Sequence, residues 1–146
     1  MFDIYLRHLK DFIADPISRA LANLKGFGVT PNHFTAVSGI FGLLSVYISA
    51  MQPERTGLAL ILFMLNRAFD CLDGAYARMT NQSSDFGGYF DIIVDFTIYG
   101  LVPVAVSAGN PDNTAFAMMG LLEVTFFVNA AGLFFLSALI DKNKAA

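Results

Sequence analysis

Four long apolar stretches follow one another along the chain, at residues 33–51, 57–79, 86–108 and 114–140. A helix that crosses the roughly 30 Å hydrocarbon core of a bilayer needs about 20 mainly apolar residues, and each stretch has that order of length. The composition agrees, because 55% of the 146 residues are hydrophobic and only 14% are charged. The pattern predicts an all-α integral membrane protein with four transmembrane helices.

The connections between these stretches are short and rich in turn-forming residues, so consecutive helices are expected to run antiparallel. The basic residues favour a cytosolic N-terminus, because that orientation leaves only Arg55 outside. It places the following basic residues on the cytosolic side: Arg7, Lys10, Arg19, Lys25, Arg78, Lys142 and Lys144.

Before the first long stretch, apolar residues such as Ile4, Leu9, Phe12 and Ile17 recur at helical spacing, with charged residues on other faces. Residues 1–29 are therefore predicted to form an amphipathic helical segment in the membrane interface. Residues 30–146 are predicted to form the transmembrane domain. Packing of the first segment against the other helices is the alternative.

Charge and cysteine content exclude several functions. A net charge of −3 cannot supply the clustered basic surface that nucleic-acid binding requires. A single cysteine, Cys71, rules out an intramolecular disulfide and a cysteine-based zinc cluster.

Ionisable side chains inside the apolar stretches are the main indication of function, because each costs roughly 2.5–3.5 kcal/mol to insert at the centre of a span. At about 100° per residue, one stripe of the second helix carries Asp70, Asp73, Gly74 and Ala77, with Arg78 at its edge.

The third helix carries a similar stripe with Gly87, Gly88, Asp91 and Asp95. Because one short turn joins the two helices, their carboxylates are expected to converge at similar depth.

Four converging carboxylates repel one another in a low-dielectric setting, so they cannot all ionise unless cations neutralise them. Two divalent ions would balance the four charges. Oxygen ligands without His or Cys favour Mg²⁺ or Mn²⁺ over zinc. Paired ions of this kind commonly clamp the oxygens of a phosphoryl transfer.

The run from Asp70 to Arg78, then eight residues, then Gly87, Asp91 and Asp95, resembles the CDP-alcohol phosphotransferase signature DxxDGxxAR(x8)GxxxDxxxD at every fixed position. Residues 30–35 and 81–84 also resemble family sequence. The family usually has six spans, so the resemblance implies that two further transmembrane helices are missing here.

The resemblance implies an enzyme of phospholipid biosynthesis. It would transfer a phosphatidyl or phospho-alcohol group from a CDP-alcohol, first of all CDP-diacylglycerol, to an acceptor hydroxyl, and release CMP. The family also implies a homodimer and a cytosolic active site, here expected in a bacterial inner membrane. The acceptor is left open.

The resemblance also implies residue roles. The two Mg²⁺ or Mn²⁺ ions are assigned to Asp70, Asp73, Asp91 and Asp95, and Asp95 is also the base that deprotonates the acceptor. Nucleotide or substrate contacts are assigned to Asp70, Asp73, Gly74, Ala77, Arg78, Gly87 and Asn32.

Structural alternatives accompany several of these roles. The small residues of the stripes would equally suit close helix packing. Arg78 would also serve as a topology anchor, and Asn32 as part of a helix cap. For the whole chain, the alternatives are a small membrane carrier or channel with intramembrane carboxylates, and a non-catalytic fragment of the transferase.

Two charges lie outside the signature, Arg67 in the second stretch and Glu123 in the fourth. Counted from the outer helix ends, both lie about 14–15 Å deep at 1.5 Å per residue. An ion pair between them would lower the cost of burying each. We therefore predict an Arg67–Glu123 pair. The alternative is that Arg67 turns towards the aspartates and helps to hold substrate phosphate.

Overall fold

The computed structural model describes residue 26 and residues 28–145, without the side chains of residue 136 and residues 138–145. This part of the chain is helical and contains no strand. Its helices are α1 (Pro31–Met51), α2 (Thr56–Thr80), α3 (Asp85–Gly109) and α4 (Asn113–Ala145), and a short 3-10 turn (Pro53–Arg55) joins α1 to α2. The predicted interfacial segment at 1–29 falls almost entirely outside the described residues.

The described helices confirm the predicted all-α membrane class. By length and composition, three segments are suited to cross a membrane: Pro31–Met51, Asp85–Gly109 and Asn113–Phe135. The helix that differs is α2, which has 25 residues. Every 18-residue window of α2 contains Arg67, Asp70 and Asp73. That α2 also crosses the membrane therefore stays a prediction. It is less apolar than the other three helices because it carries the charged stripe.

Helix α1 is the centre of the packing. It contacts α2 and α3 along much of its length. The backbones of α2 and α3 barely approach each other, although their side chains meet at the acidic stripes, and α4 packs mainly on α3. Small residues on α1 permit this close approach. A Cβ added to Gly42 would lie 2.6 Å from Ile98 Cδ1 on α3. The two acidic stripes are thus held opposite each other by α1, with an opening between them.

Buried polar contacts fix α1 against α2. Asn66 is fully buried, and its Nδ2 donates to the Ser38 carbonyl at 2.9 Å and to Ser38 Oγ at 2.7 Å. Ser38 Oγ lies 3.0 Å from the Asn66 carbonyl, and Ser45 Oγ donates to the Ala59 carbonyl at 2.7 Å. Inside a membrane such groups need partners within the protein, so these contacts set the register of α2 on α1.

The α2–α3 turn positions the start of the second acidic stripe. Helix α2 ends at Thr80, and its C-cap residue Asn81 adopts a left-handed conformation with φ 54°. Helix α3 then begins with Ser84 as its N-cap, whose Oγ accepts from the Gly87 amide at 3.0 Å. This cap satisfies one of the free amides of the first turn and orients α3 towards α2.

Candidate metal and nucleotide site

A cavity of about 230 Å³ opens where α2 ends and α3 begins, beside the first turn of α1. The sequence assigns nine residues to metal or nucleotide binding, and seven of these nine line the cavity. The full lining is Pro31, Asn32, Thr35, Asp73, Gly74, Ala77, Arg78, Gln82, Ser83, Ser84, Gly87, Gly88 and Asp91. Predicted residues from three helices therefore share one cavity.

The four aspartates divide into two overlapping groups. Asp70, Asp91 and Asp95 each offer a carboxylate oxygen within 4.8 Å of the others. Asp73 lies outside that triad and lines the cavity together with Asp91. Asp70 and Asp95 do not line the cavity, so Asp91 connects the cavity to the triad.

Asp73 is held by a residue to which the sequence analysis assigned no role. Thr35 Oγ1 on α1 donates to Asp73 Oδ2 at 2.7 Å, and both residues are almost fully buried. The available signal was the position of Thr35 in the run 30–35, which resembles family sequence. Thr35 thereby ties the central helix to the acidic stripe of α2.

Arg67 points into the aspartate cluster. Its Nη2 lies 2.7 Å from Asp95 Oδ1, and its Nη1 lies 3.6 Å from Asp70 Oδ2. The predicted Arg67–Glu123 pair is therefore wrong. Arg67 lies one turn before Asp70 on nearly the same face of α2, whereas Glu123 belongs to α4, which packs mainly on α3. Glu123 Oε1 is buried without a hydrogen-bond partner among the described residues.

The glycines of the stripes differ in their surroundings. A Cβ on Gly87 would lie 3.1 Å from both Asn32 Oδ1 and Ser84 Oγ, and a Cβ on Gly74 would lie 3.4 Å from Arg78 Nη1. A Cβ on Gly88 would meet nothing within 4 Å. Gly87 thus keeps α3 close to the polar edge of the cavity. Asn32 lines the cavity, and the N-cap residue of α1 is Thr30.

The acidic triad fits a hard divalent cation. Its three donors are carboxylate oxygens that already lie close together, which is the ligand type that Mg²⁺ and Mn²⁺ prefer. Asp91 Oδ1 is buried and has no hydrogen-bond partner among the described residues. A buried carboxylate oxygen in that state is stabilised by a cation, because burial without a partner is costly.

Comparison with known proteins identifies the family of the chain. The sequence model of the CDP-alcohol phosphatidyltransferase family matches residues 28–145. The inner membrane protein YnjF of Escherichia coli is 33% identical over 138 residues, which are 94% of this chain and 65% of that protein. No solved structure matches the chain.

Relatives with named activities match over shorter regions. The archaetidylinositol phosphate synthase of Pyrococcus horikoshii is 33% identical over 62% of this chain and 47% of its own length. A CDP-diacylglycerol–serine O-phosphatidyltransferase of Helicobacter pylori is 34% identical over 53% of this chain and 32% of its own length. The chain thus spans under two thirds of these relatives. Because the family model covers most of the sequence, the chain belongs to the CDP-alcohol phosphatidyltransferase family.

Proposed function

We propose that this chain carries the nucleotide-binding and metal-binding site of a phospholipid-synthesising transferase. The reaction is transfer of a phosphatidyl or phospho-alcohol group from a CDP-alcohol, first of all CDP-diacylglycerol, to an acceptor hydroxyl, with release of CMP. The observation that carries the proposal is the cavity lined by Asp73, Asp91 and Arg78, because it adjoins the acidic triad through Asp91.

The residues divide the work by position. Asp70, Asp73, Asp91 and Asp95 hold two divalent ions, Mg²⁺ or Mn²⁺. Bound there, the ions would offset the negative charge of the donor's phosphates and of the oxygens exchanged in the transfer.

The cavity lining accommodates the nucleotide. Arg78 neutralises a phosphate oxygen, since a guanidinium binds phosphate with charge-assisted hydrogen bonds. Asn32 supplies a polar contact, and the absence of side chains at Gly74 and Gly87 leaves room for the donor, as does the small Ala77. These assignments are supported by the shared cavity lining.

Asp95 accepts the proton of the acceptor hydroxyl. As the acceptor oxygen forms its bond to the donor phosphorus that carries the lipid or alcohol, the bond from that phosphorus to the CMP oxygen breaks and CMP leaves. A base must be within reach of the proton that it removes. The support for Asp95 is its place in the triad, one turn beyond Asp91 on α3.

The proposal includes a location and an assembly. The basic residues support a cytosolic N-terminus, with the cavity on the same side as Arg78 and opposite the turn that contains Arg55. Similarity to an inner membrane protein of Escherichia coli supports a location of this chain in a bacterial inner membrane. The exposed apolar surface of the helices is in keeping with lipid contact and with a homodimer.

Only the names of the relatives bear on the identity of the acceptor alcohol. One relative is named for serine and another for an inositol phosphate product, and the two differ in the charge of the acceptor. A neutral or zwitterionic alcohol and an alcohol phosphate are therefore the two classes to compare.

The test is CMP release by the purified chain in nanodiscs. CDP-diacylglycerol would be supplied with Mg²⁺ or Mn²⁺ and with serine, glycerol phosphate, inositol phosphate or no acceptor. We expect CMP release that needs both a divalent ion and one acceptor class. Turnover in excess chelator would reject the metal assignment. A parallel measurement of CDP binding by calorimetry tests the cavity by itself, and a folded chain that neither binds CDP nor releases CMP would overturn the proposal.

A further inference from the structure

Arg67 is one of the most thoroughly held side chains at the site. Its Nη1 donates to the Tyr99 hydroxyl at 2.8 Å, and its Nε donates to Asn66 Oδ1 at 2.8 Å. The guanidinium carbon also lies 4.7 Å from the ring centre of Tyr99 and 5.8 Å from that of Phe63. These contacts come from α2 and α3, and they include two aromatic rings as well as polar groups. Packing of the two helices therefore fixes the position of the guanidinium.

Arg67 forms ion pairs with two members of the acidic triad. Nη2 lies 2.7 Å from Asp95 Oδ1 and Nη1 lies 3.6 Å from Asp70 Oδ2. A guanidinium stays protonated in proteins, so this is a permanent positive charge. The third member, Asp91, has a buried Oδ1 without a hydrogen-bond partner among the described residues.

Positive charge is therefore distributed unequally among the four aspartates. Asp91 faces the cavity and has a free buried oxygen, and Asp73 beside it is held by the neutral hydroxyl of Thr35. Asp70 and Asp95 lie away from the cavity and already contact a cation. A divalent ion entering from the cavity would meet the uncompensated carboxylates first, and a second ion near Asp95 would be repelled by Arg67.

We propose that Arg67 is a resident cation of the acidic cluster, which competes with a divalent ion for Asp95 and Asp70 and so makes the two ions bind unequally. The inference rests on the proposed use of divalent ions by the four aspartates. It makes Arg67 a positioning residue: the guanidinium holds two carboxylates in place before metal binds, and it weakens the second metal step.

The sign of the effect separates this role from a purely structural one. Removal of a part-buried positive charge close to a cation site strengthens cation binding, because repulsion at short range is large where water is partly excluded. If Arg67 served only to hold the fold or to orient the carboxylates, its removal would leave metal affinity unchanged or lower it.

The experiment measures Mn²⁺ binding to the full chain by calorimetry and by electron paramagnetic resonance, which needs no turnover. For Arg67→Met we expect the weaker Mn²⁺ step to tighten by about tenfold or more, from the removal of a unit charge near the ion. Arg67→Lys keeps the charge and is expected to bind Mn²⁺ nearly as the natural chain does. Arg55→Met, in the turn outside the cluster, is the matched control for loss of a cation and is expected to change nothing.

A milder variant covers the case in which Arg67→Met does not fold. Tyr99→Phe removes the hydroxyl that accepts from Arg67 Nη1 but keeps the ring against the guanidinium. It leaves the charge and loosens its position, so we expect a tightening of about twofold to fivefold in the weaker step, since one hydrogen bond that holds the guanidinium in place is lost.

The outcomes are distinguishable. If the natural chain binds two Mn²⁺ ions unequally and Arg67→Met tightens the weaker step, the inference is supported. Unchanged or weaker binding in folded Arg67→Met, or in Tyr99→Phe if the former does not fold, overturns it while the proposed metal use stands. If the natural chain binds no Mn²⁺, the proposed metal use fails and the inference falls with it.

Discussion

Thr35 Oγ1 on α1 donates a hydrogen bond to Asp73 Oδ2 on α2 at 2.7 Å, where the two side chains are 3% and 6% exposed. The bond joins the central helix of the fold to one of the carboxylates of the candidate site. The same contact therefore supports the helix packing and positions a carboxylate of the candidate site, and a change at Thr35 is expected to affect both stability and activity.

Thr35→Val removes the donor and keeps the shape of the side chain. The buried Asp73 oxygen then loses its partner, which costs about 1–3 kcal/mol of folding free energy. We expect a lower melting temperature in detergent and slower CMP release. Thr35→Ser keeps the hydroxyl and serves as the control. Equal melting temperatures for Thr35→Val and the natural chain would show that this hydrogen bond does not stabilise the fold.

Gly42 on α1 packs closely against the Ile98 side chain of α3. In Gly42→Ala the new Cβ would lie 2.6 Å from Ile98 Cδ1 and 3.1 Å from Asn66 Nδ2. Such overpacking costs typically about 1–3 kcal/mol. We expect reduced resistance to thermal unfolding in detergent.

The control for Gly42 is Gly120→Ala on α4, where a Cβ would meet nothing within 4 Å. It is expected to leave stability unchanged or slightly higher, because alanine favours helix by about 1 kcal/mol over glycine. The pair Gly42→Ala with Ile98→Val, which deletes the clashing Cδ1, should recover part of the loss. A harmless Gly42→Ala would contradict the packing described for α1.

Asp91 links the cavity to the acidic triad, so its charge should matter most for the entry of the first ion. Asp91→Asn is expected to weaken Mn²⁺ binding by about tenfold to a hundredfold and to abolish CMP release, since one charged ligand becomes neutral. Asp85→Asn, at the exposed first position of α3, is the control and should bind Mn²⁺ normally. Undiminished Mn²⁺ affinity in Asp91→Asn would remove Asp91 from the metal site.

The sequence predicted much of the helical framework and most of the cavity lining. The predicted stretch 33–51 corresponds to α1 and 86–108 to α3, because apolar length and turn residues are local properties of the chain. The fixed spacing of the motif likewise placed Asp73 and Asp91 on inward faces. These are consequences of helical periodicity alone.

What the sequence did not predict depends on the rotation and register of one helix against another. The prediction of an Arg67–Glu123 pair rests on depth in the membrane, which ignores the direction in which the Arg67 side chain points. At about 100° per residue Arg67 lies within roughly 60° of Asp70, so the aspartate face was equally open to it. The bond from Thr35 to Asp73 required the register of α1 on α2, which buried contacts such as that between Ser38 and Asn66 set.

Glu123 is expected to tolerate replacement by glutamine, because its predicted partner Arg67 contacts Asp95 and Asp70 instead. Its Oε1 is buried without a hydrogen-bond partner among the described residues, and a buried polar atom without a partner is unfavourable. Glu123→Gln should therefore leave the melting temperature in nanodiscs unchanged or raise it. Combined with Arg67→Met, the effects on stability should add within about 0.5 kcal/mol. Strong coupling between the two changes would restore the rejected ion pair.

Gly87 and Gly88 provide a matched pair of substitutions at the edge of the cavity. Both line the cavity, but a Cβ on Gly87 would lie 3.1 Å from Asn32 Oδ1 and from Ser84 Oγ, whereas a Cβ on Gly88 would meet nothing within 4 Å. Gly87→Ala must therefore displace the Asn32 side chain or the cap at Ser84. Gly88→Ala can be accommodated without either shift.

If Asn32 contacts the nucleotide, Gly87→Ala should weaken CDP binding and raise the KM for the CDP-alcohol by about tenfold, the equivalent of one hydrogen bond lost. The melting temperature should fall only slightly, because Ser84 Oγ can rotate away while the α3 backbone keeps its place. Gly88→Ala should leave CDP affinity near that of the natural chain. Calorimetric titration of CDP into both variants in nanodiscs makes the comparison, and equal affinities would exclude Asn32 and the start of α3 from the nucleotide pocket.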